Sequence, residues 1–118
     1  MFSFDVDESL AAQPLTDGLL VIRYLFGFSG DALVSSAVAG AASRDDAGEI
    51  ETYLKSAEAQ LDIDDDGEAG PLTDGLLLIR YLFGFSGEAL VAGAVGEGAQ
   101  RKNSDDIAAY IEARIPGT

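Results

Sequence analysis

The sequence predicts an all-α fold with a pseudo-twofold duplication, in which each copy is an acidic loop followed by about three helices. Two observations lead to this prediction. The chain repeats itself without a gap, and the apolar residues after each acidic loop recur at helical spacing. Strand signals are scarce, since Val6 and Ile63 inside the loops are the only candidates. These two residues could form a short β-bridge between the loops.

The duplication has a period of 57 residues. Pro14 to Gly30 matches Pro71 to Gly87 with a single substitution, which is too long a match to arise by chance. Each copy is long enough to hold a loop and several helices. We therefore predict a single domain over residues 1–118 that consists of two tandem repeats, residues 4–60 and residues 61–117.

The acidic loop of the second copy has the pattern of an EF-hand-type calcium loop. Counted from Asp62 as position 1, carboxylates recur at positions 3 and 5 as Asp64 and Asp66. Gly67 then falls where the loop must turn, and Glu68 offers a backbone carbonyl at position 7. Calcium needs six to eight oxygens at about 2.3–2.6 Å, and one segment supplies several only by turning tightly around the ion. The loop therefore predicts one Ca²⁺ site.

The residue that closes this loop is displaced from its usual place. Thr73 holds position 12, where the closing carboxylate of such loops stands, and Asp74 follows at position 13. The loop must therefore bulge by one residue or close differently. We predict Asp74 as the closing ligand.

The loop of the first copy is a weaker version of the same pattern. Ser9 replaces Asp66, and Leu10 replaces Gly67 at the turn, where a side chain disfavours positive φ. Both a second calcium site and a metal-free, vestigial loop fit these residues. Its candidate ligands are Asp5, Asp7, Ser9, the Ala11 carbonyl and Asp17.

Three helices are predicted in each copy. Thr73 and Asp74 are expected to open the first helix, with an acidic charge near its positive end. Gly75 to Phe83 continue it and are apolar on nearly all sides, which predicts a buried helix that stops at Gly84. Ser86 is a candidate N-cap of a short second helix that continues to Val95. The third helix begins after a capping-box pattern, at Asp46 in one copy and at the corresponding Asn103 in the other.

Two features of the first helix allow more than one interpretation. Arg23 and its counterpart Arg80 interrupt the apolar pattern. Each could form an ion pair or extend along the edge of the core, or it could belong to a partner-binding surface. Four phenylalanines flank the glycines at the helix end and fit either the core or an exposed interaction patch. They are Phe26, Phe28, Phe83 and Phe85.

Composition excludes several classes of function. A formal net charge of −14, with only seven Lys and Arg, argues against binding nucleic acid. The longest apolar run, Leu76 to Phe85, is too short for membrane insertion, which needs about 20 residues. The chain has no Cys and no His, so thiol catalysis and the commonest general base are missing. Met1 to Asp5 have no basic region and no apolar core, so we expect no export signal in the chain as given.

The loop that runs straight into a helix, without a matching helix before it in its own copy, resembles the arrangement of dockerin repeats. Pro71 to Gly87 is also similar to a repeat of bacterial secreted and surface proteins, in which Asp-x-Asp-x-Asp-Gly precedes Leu-Thr-Asp-Gly-Leu-Leu. The resemblance implies calcium binding and an extracellular or cell-surface location within a larger protein. It also implies a cohesin-like protein partner, although Leu72 and Thr73 replace the Ser-Thr pair that dockerins present to cohesins.

We therefore predict a non-catalytic calcium-binding module, dockerin-like, that serves as a metal-stabilised structural or docking unit. One alternative is a partner-recognition domain of the cohesin-dockerin type. The other is a small carboxylate-dependent hydrolase, which would need a substrate cleft flanked by two separated carboxylates away from the loops.

Overall fold

The computed structural model describes residues 2–116, and within this range the chain forms seven α-helices and no β-strand. The all-α class is thereby confirmed. Val6 and Ile63 form no bridge, and both are fully buried in the core instead. The helices are α1 (Leu19–Leu25), α2 (Asp31–Val34), α3 (Ala47–Ser56), α4 (Glu58–Leu61), α5 (Leu76–Leu82), α6 (Gly87–Val91) and α7 (Ser104–Glu112).

A single wide turn of π-helix precedes each of the two apolar helices. The turns are Pro14–Gly18 before α1 and Pro71–Gly75 before α5. The N–H of Gly75 donates to the carbonyl of Gly70, five residues back, at 3.2 Å. The α-helix therefore starts at Leu76, later than the sequence predicts.

Both apolar helices stop where the sequence predicts. Gly84 has φ +96°, which glycine adopts without steric cost, and its N–H donates to the carbonyl of Tyr81 at 2.9 Å. The N–H of Phe85 donates to the carbonyl of Arg80 at 3.0 Å, which completes a Schellman motif. The same bonds end α1 at Gly27.

The second helices are shorter than predicted, because an arginine satisfies their C-terminal carbonyls. Arg23 Nη1 donates to the carbonyls of Leu33 and Ser35 at 3.1 and 2.8 Å, and Arg80 Nη1 makes the corresponding bonds in the second copy at the same distances. These arginines therefore act as C-terminal caps of α2 and α6.

The third helices begin at the predicted caps. The Asp46 carboxylate accepts the N–H of Glu49 at 3.1 Å, whereas Asn103 accepts the N–H of Asp105 at 2.8 Å, one residue earlier than a capping box requires. The sequence did not predict α4, a four-residue helix directly before the second loop. The Tyr110 hydroxyl donates to the carbonyl of Gln60 within it at 2.7 Å, and so fixes α4 against α7.

The two apolar helices cross closely at a pair of glycines. A Cβ added to Gly75 would lie 2.8 Å from Ile22 Cγ1, and one added to Gly18 would lie 3.1 Å from Ile79 Cγ1. Since the lower-numbered residue of one helix faces the higher-numbered residue of the other, the helices run antiparallel. Around this crossing lies the core, whose fully buried members include Leu20, Val21, Leu77, Leu78, Leu33, Leu90, Ile50, Leu54, Ile107 and Ile111.

The four phenylalanines at the helix ends are not core residues. Phe26, Phe28, Phe83 and Phe85 are 45–54% exposed. The core expectation is therefore wrong for them, and they lie on the surface at the two helix ends. Over the described residues the molecule measures 34 × 28 × 24 Å. None of the described helices is long and apolar enough to cross a membrane.

Candidate metal centre

Four aspartates of the second loop converge on one point. Asp62, Asp64, Asp66 and Asp74 each contribute a carboxylate oxygen, and these oxygens lie within 4.8 Å of one another. Asp64 and Asp74 are fully buried. The N–H of Glu68 donates to Asp66 Oδ1 at 3.1 Å, which places position 7 of the loop directly beside the cluster.

The π-helical turn brings Asp74 into this cluster. A turn of this kind holds one residue more than an α-helical turn, so it absorbs the extra residue that displaces the closing carboxylate to position 13. Asp74 Oδ1 accepts the N–H of Asp64 at 3.1 Å, and Asp74 Oδ2 accepts the N–H of Gly70 at 2.8 Å. The Thr73 hydroxyl donates to Asp74 Oδ2 at 3.3 Å. The loop thus bulges by one residue, the first of the two alternatives.

Asp64 has one buried carboxylate oxygen without a hydrogen-bond partner among the described residues. Its Oδ2 accepts the N–H of Gly96 at 2.6 Å, whereas its Oδ1 is buried and has no hydrogen-bond partner among the described residues. The counterpart Asp7 is arranged in the same way, with Oδ2 bonded to the N–H of Ala39 at 2.8 Å and Oδ1 buried without a partner in residues 2–116. A buried acceptor without a partner costs about 1–3 kcal/mol, and more when it is charged. A cation would offset this cost.

The first loop assembles a smaller cluster. Oxygens of Asp5, Asp7 and Asp17 lie within 4.8 Å of one another, and all three residues are buried. The Ser9 hydroxyl lies 3.4 Å from Asp5 Oδ1 and 3.3 Å from the carbonyl of Ala11, so the remaining two candidate ligands are adjacent to it.

Leu10 adopts the conformation that the sequence identifies as unfavourable. Its φ is +78°, where Gly67 of the second loop has φ +98°. Leucine is strained in this region, whereas glycine is not. The Leu10 side chain is also 84% exposed, so no packing offsets the strain.

Like charges and burial act together on these carboxyl groups. Burial, followed by the charges of Asp7 and Asp5, raises the pKa of Asp17 to about 7, although backbone N–H donors oppose this shift. Burial, followed by the charges of Asp74 and Asp66, raises the pKa of Asp64 to about 7. Burial also raises the pKa of Asp74. Each cluster is therefore electrostatically unfavourable when fully ionised and without a cation.

Two segments that follow the second helices clamp the loops, and we call residues 39–44 and 96–101 the straps. The backbone N–H of Arg44 donates to the carbonyl of Asp7 at 2.9 Å, and its Nη1 donates to the carbonyl of Val6 at 2.7 Å. Arg101 makes both bonds in the second copy, at 3.0 and 2.6 Å. Each guanidinium also lies over a tyrosine ring, 3.8 Å from the Tyr53 centroid and 4.1 Å from the Tyr110 centroid.

The straps are the part of the site that sequence reasoning missed. The only sequence signal is that Arg44 and Arg101 recur at the repeat period. A lone arginine in a glycine-rich and alanine-rich segment does not reveal that it supports a loop more than 35 residues earlier, because this contact exists only in the folded chain.

Comparison of the chain with protein-family models, with curated proteins and with solved structures found no match. The class of this protein is therefore described from its fold and its site alone. It is an all-α protein in which two groups of buried or half-buried aspartates could each hold a metal ion.

Proposed function

We propose that this protein is a non-catalytic calcium-binding module of the dockerin-like kind. The observation that carries the proposal is the buried carboxylate oxygen without a partner in each acidic cluster, on Asp7 and on Asp64. A buried carboxyl group must be paired, coordinate a metal or take up a proton, and burial raises the pKa of Asp64 to about 7 because the ionised form lacks a compensating charge. Each of these oxygens belongs to a group of aspartates whose oxygens could reach a single ion.

The donor set favours calcium over other cations. All the side-chain donors are oxygens, which suit calcium and magnesium, and the chain has no Cys or His to attract transition metals. Magnesium demands near-ideal octahedral geometry at about 2.0–2.1 Å, whereas a loop that combines carboxylates with backbone carbonyls suits calcium. The Ca²⁺ ligands of the second loop are Asp62, Asp64, Asp66, the Glu68 carbonyl and Asp74, and those of the first loop are Asp5, Asp7, Ser9, the Ala11 carbonyl and Asp17.

The metal's role in this proposal is structural. Each loop leads through a π-helical turn into a core helix, so an ion that fixes the loop also fixes the start of that helix. The loops, straps and arginine caps recur at the repeat period, which supports a pseudo-twofold arrangement of two equivalent units. As a docking or spacer unit, the module would belong to a larger secreted or surface protein.

The hydrolase alternative has weaker support. A surface groove near the first loop is lined by Glu8, Asp46 and Glu49. All three residues are exposed, Asp46 caps α3, and Glu8 forms an ion pair with Arg44 at 3.6 Å. The carboxylates of Asp46 and Glu8 thus have structural partners, whereas the buried Oδ1 atoms of Asp7 and Asp64 have none among the described residues.

Isothermal titration calorimetry with calcium tests the proposal directly. We expect a tighter site in the second loop, which Asp62→Asn removes, and a weaker site in the first loop. Asp65→Asn is the matched control, because it removes the same charge from an exposed side chain at a neighbouring position. Competition with magnesium should show a clear preference for calcium. Absence of binding at millimolar calcium, or equal affinity for both ions, would contradict the proposal.

The pH dependence of the metal-free protein provides a second test. The raised pKa values of Asp17 and Asp64, from 3.8 to about 7, mean that the folded state holds more protons than the unfolded state between about pH 4 and pH 7. The free energy of unfolding should therefore fall as the pH rises through this window. Since calcium displaces these protons, calcium affinity should rise over the same range.

Thermal unfolding of metal-depleted protein at about pH 5 and pH 8, together with calorimetric titration at both values, measures the two trends. Asp64→Asn should reduce the pH dependence of stability, because it removes one of the two groups with the strongest shift. A metal-free protein that becomes more stable from pH 5 to pH 8 would contradict this expectation.

A further inference from the structure

The space for the Asp66 carboxylate is provided by Gly96 of the second strap. A Cβ added at Gly96 would overlap Asp66 Oδ2, and it would lie only 3.0 Å from Asp66 Cγ and 3.2 Å from Asp64 Oδ2. Gly96 has no positive φ that would call for glycine, so its backbone conformation is open to alanine. A side chain at this position would force the Asp66 carboxylate out of its present place, which is the steric reason for glycine here.

The first copy carries the complementary pair. The repeat places Ala39 at the position of Gly96 and Ser9 at the position of Asp66. The two residues make equivalent hydrogen bonds: the N–H of Ala39 donates to Asp7 Oδ2 at 2.8 Å, and the N–H of Gly96 donates to Asp64 Oδ2 at 2.6 Å. At this contact the two copies differ by a coupled exchange: Ser9 occurs with Ala39 in the first copy, whereas Asp66 occurs with Gly96 in the second.

From this exchange, and on the basis of the proposed calcium function, we infer that Gly96 and Ala39 determine how many carboxylates each loop offers to the cation. Gly96 leaves room for the fourth aspartate of the second loop, whereas Ala39 restricts the first loop to three aspartates and a hydroxyl. Ligand charge count is one of the main determinants of calcium affinity. Gly96 is thus a positioning residue, which acts on the metal site through Asp66.

The test is a double-mutant cycle measured by calcium calorimetry on the full chain. Gly96→Ala should weaken the second site by about 10- to 100-fold, the usual effect of disturbing a residue that positions a metal ligand. Asp66→Ser should weaken it as well. In the Asp66→Ser background, however, Gly96→Ala should have little further effect, because the serine no longer needs the space.

Gly40→Ala is the matched control, because Gly40 lies in the other strap with nothing within 4 Å of an added Cβ. It should leave both affinities unchanged. Circular dichroism of each metal-free variant verifies that the fold persists. A Gly96→Ala variant that binds calcium as tightly as the parent would overturn the inference, and so would an equal loss in the Asp66→Ser background. Failure of the parent protein to bind calcium would instead contradict the proposed function.

The reciprocal exchange tests the first loop for a gain. Ser9→Asp alone places a carboxylate against the Ala39 methyl group, so it should improve calcium binding less than Ser9→Asp combined with Ala39→Gly. Both variants also carry Asp62→Asn, which removes calcium binding by the second loop, so the measured affinity is that of the first loop. Equal affinities for the single and the combined variant would overturn the inference for the first copy.

Discussion

Removal of calcium is expected to lower the melting temperature by on the order of 10 °C. An ion that binds only the native state stabilises it by about 2.7 kcal/mol at 100 times its dissociation constant. For a chain of 118 residues, each kcal/mol corresponds to a shift of roughly 4 °C. The aspartates that repel one another in the empty clusters lead directly into the core helices, so the loss should extend to the whole domain.

Melting curves recorded by circular dichroism, in millimolar calcium and in chelator at neutral pH, measure this effect. Asp62→Ala should remove most of the difference between the two curves, whereas Asp5→Ala should remove less. The first loop already lacks the fourth aspartate, and the positive φ of Leu10 strains it. Identical curves in calcium and in chelator would mean that calcium does not stabilise the native state through these clusters.

The second large effect is expected where the two apolar helices cross. Gly75→Ala would place a methyl group 2.8 Å from Ile22 Cγ1, closer than real contacts allow, and 3.2 Å from Ile22 Cβ, which is also tight. Because Ile22 is anchored in a packed helix, the helices must move apart, and overpacking of this kind typically costs about 1–3 kcal/mol. Urea unfolding in saturating calcium should therefore report a large loss of stability.

The chain offers an internal comparison for this prediction. Gly18→Ala should cost less, because its added Cβ would lie 3.1 Å from Ile79 Cγ1 and a small shift could relieve the contact. Ile22→Ala should partly rescue Gly75→Ala, since the new methyl group would occupy space that the truncation opens. A stability of Gly75→Ala equal to that of the parent would show that the crossing is looser than these distances indicate.

The sequence predicted the local features of this protein well. The acidic loops, the apolar helices that follow them and the glycine stops at their ends were all visible, because each depends on residues that are close in the chain. The sequence also predicted that Asp74 belongs to the second loop, and its carboxylate lies in the cluster with Asp62, Asp64 and Asp66. The strain at Leu10 was equally predictable, because a turn at that position requires a positive φ whatever the surroundings.

What the sequence could not predict are the features that depend on contacts between distant residues. The early end of α2 is one example, because Arg23 on another helix donates hydrogen bonds to the carbonyls of Leu33 and Ser35. In a longer α2 these carbonyls would accept backbone N–H groups of the helix itself. The exposure of Phe83 and its three counterparts was decided by where the helices stop relative to the core. Their apolar character by itself fits the interior equally well.

The metal site likewise has features that the sequence determines and features that only the tertiary structure decides. The aspartates of each loop, and their alternation around a turn, were determined by the sequence alone, because ligand chemistry and spacing within one segment are local properties. Only the tertiary structure decided that Asp7 and Asp64 each keep one buried oxygen without a partner, and that a strap more than 30 residues later closes over each loop. The physical reason is that burial and steric exclusion arise when segments pack together, so the role of Gly96 has no signature in its own stretch of sequence.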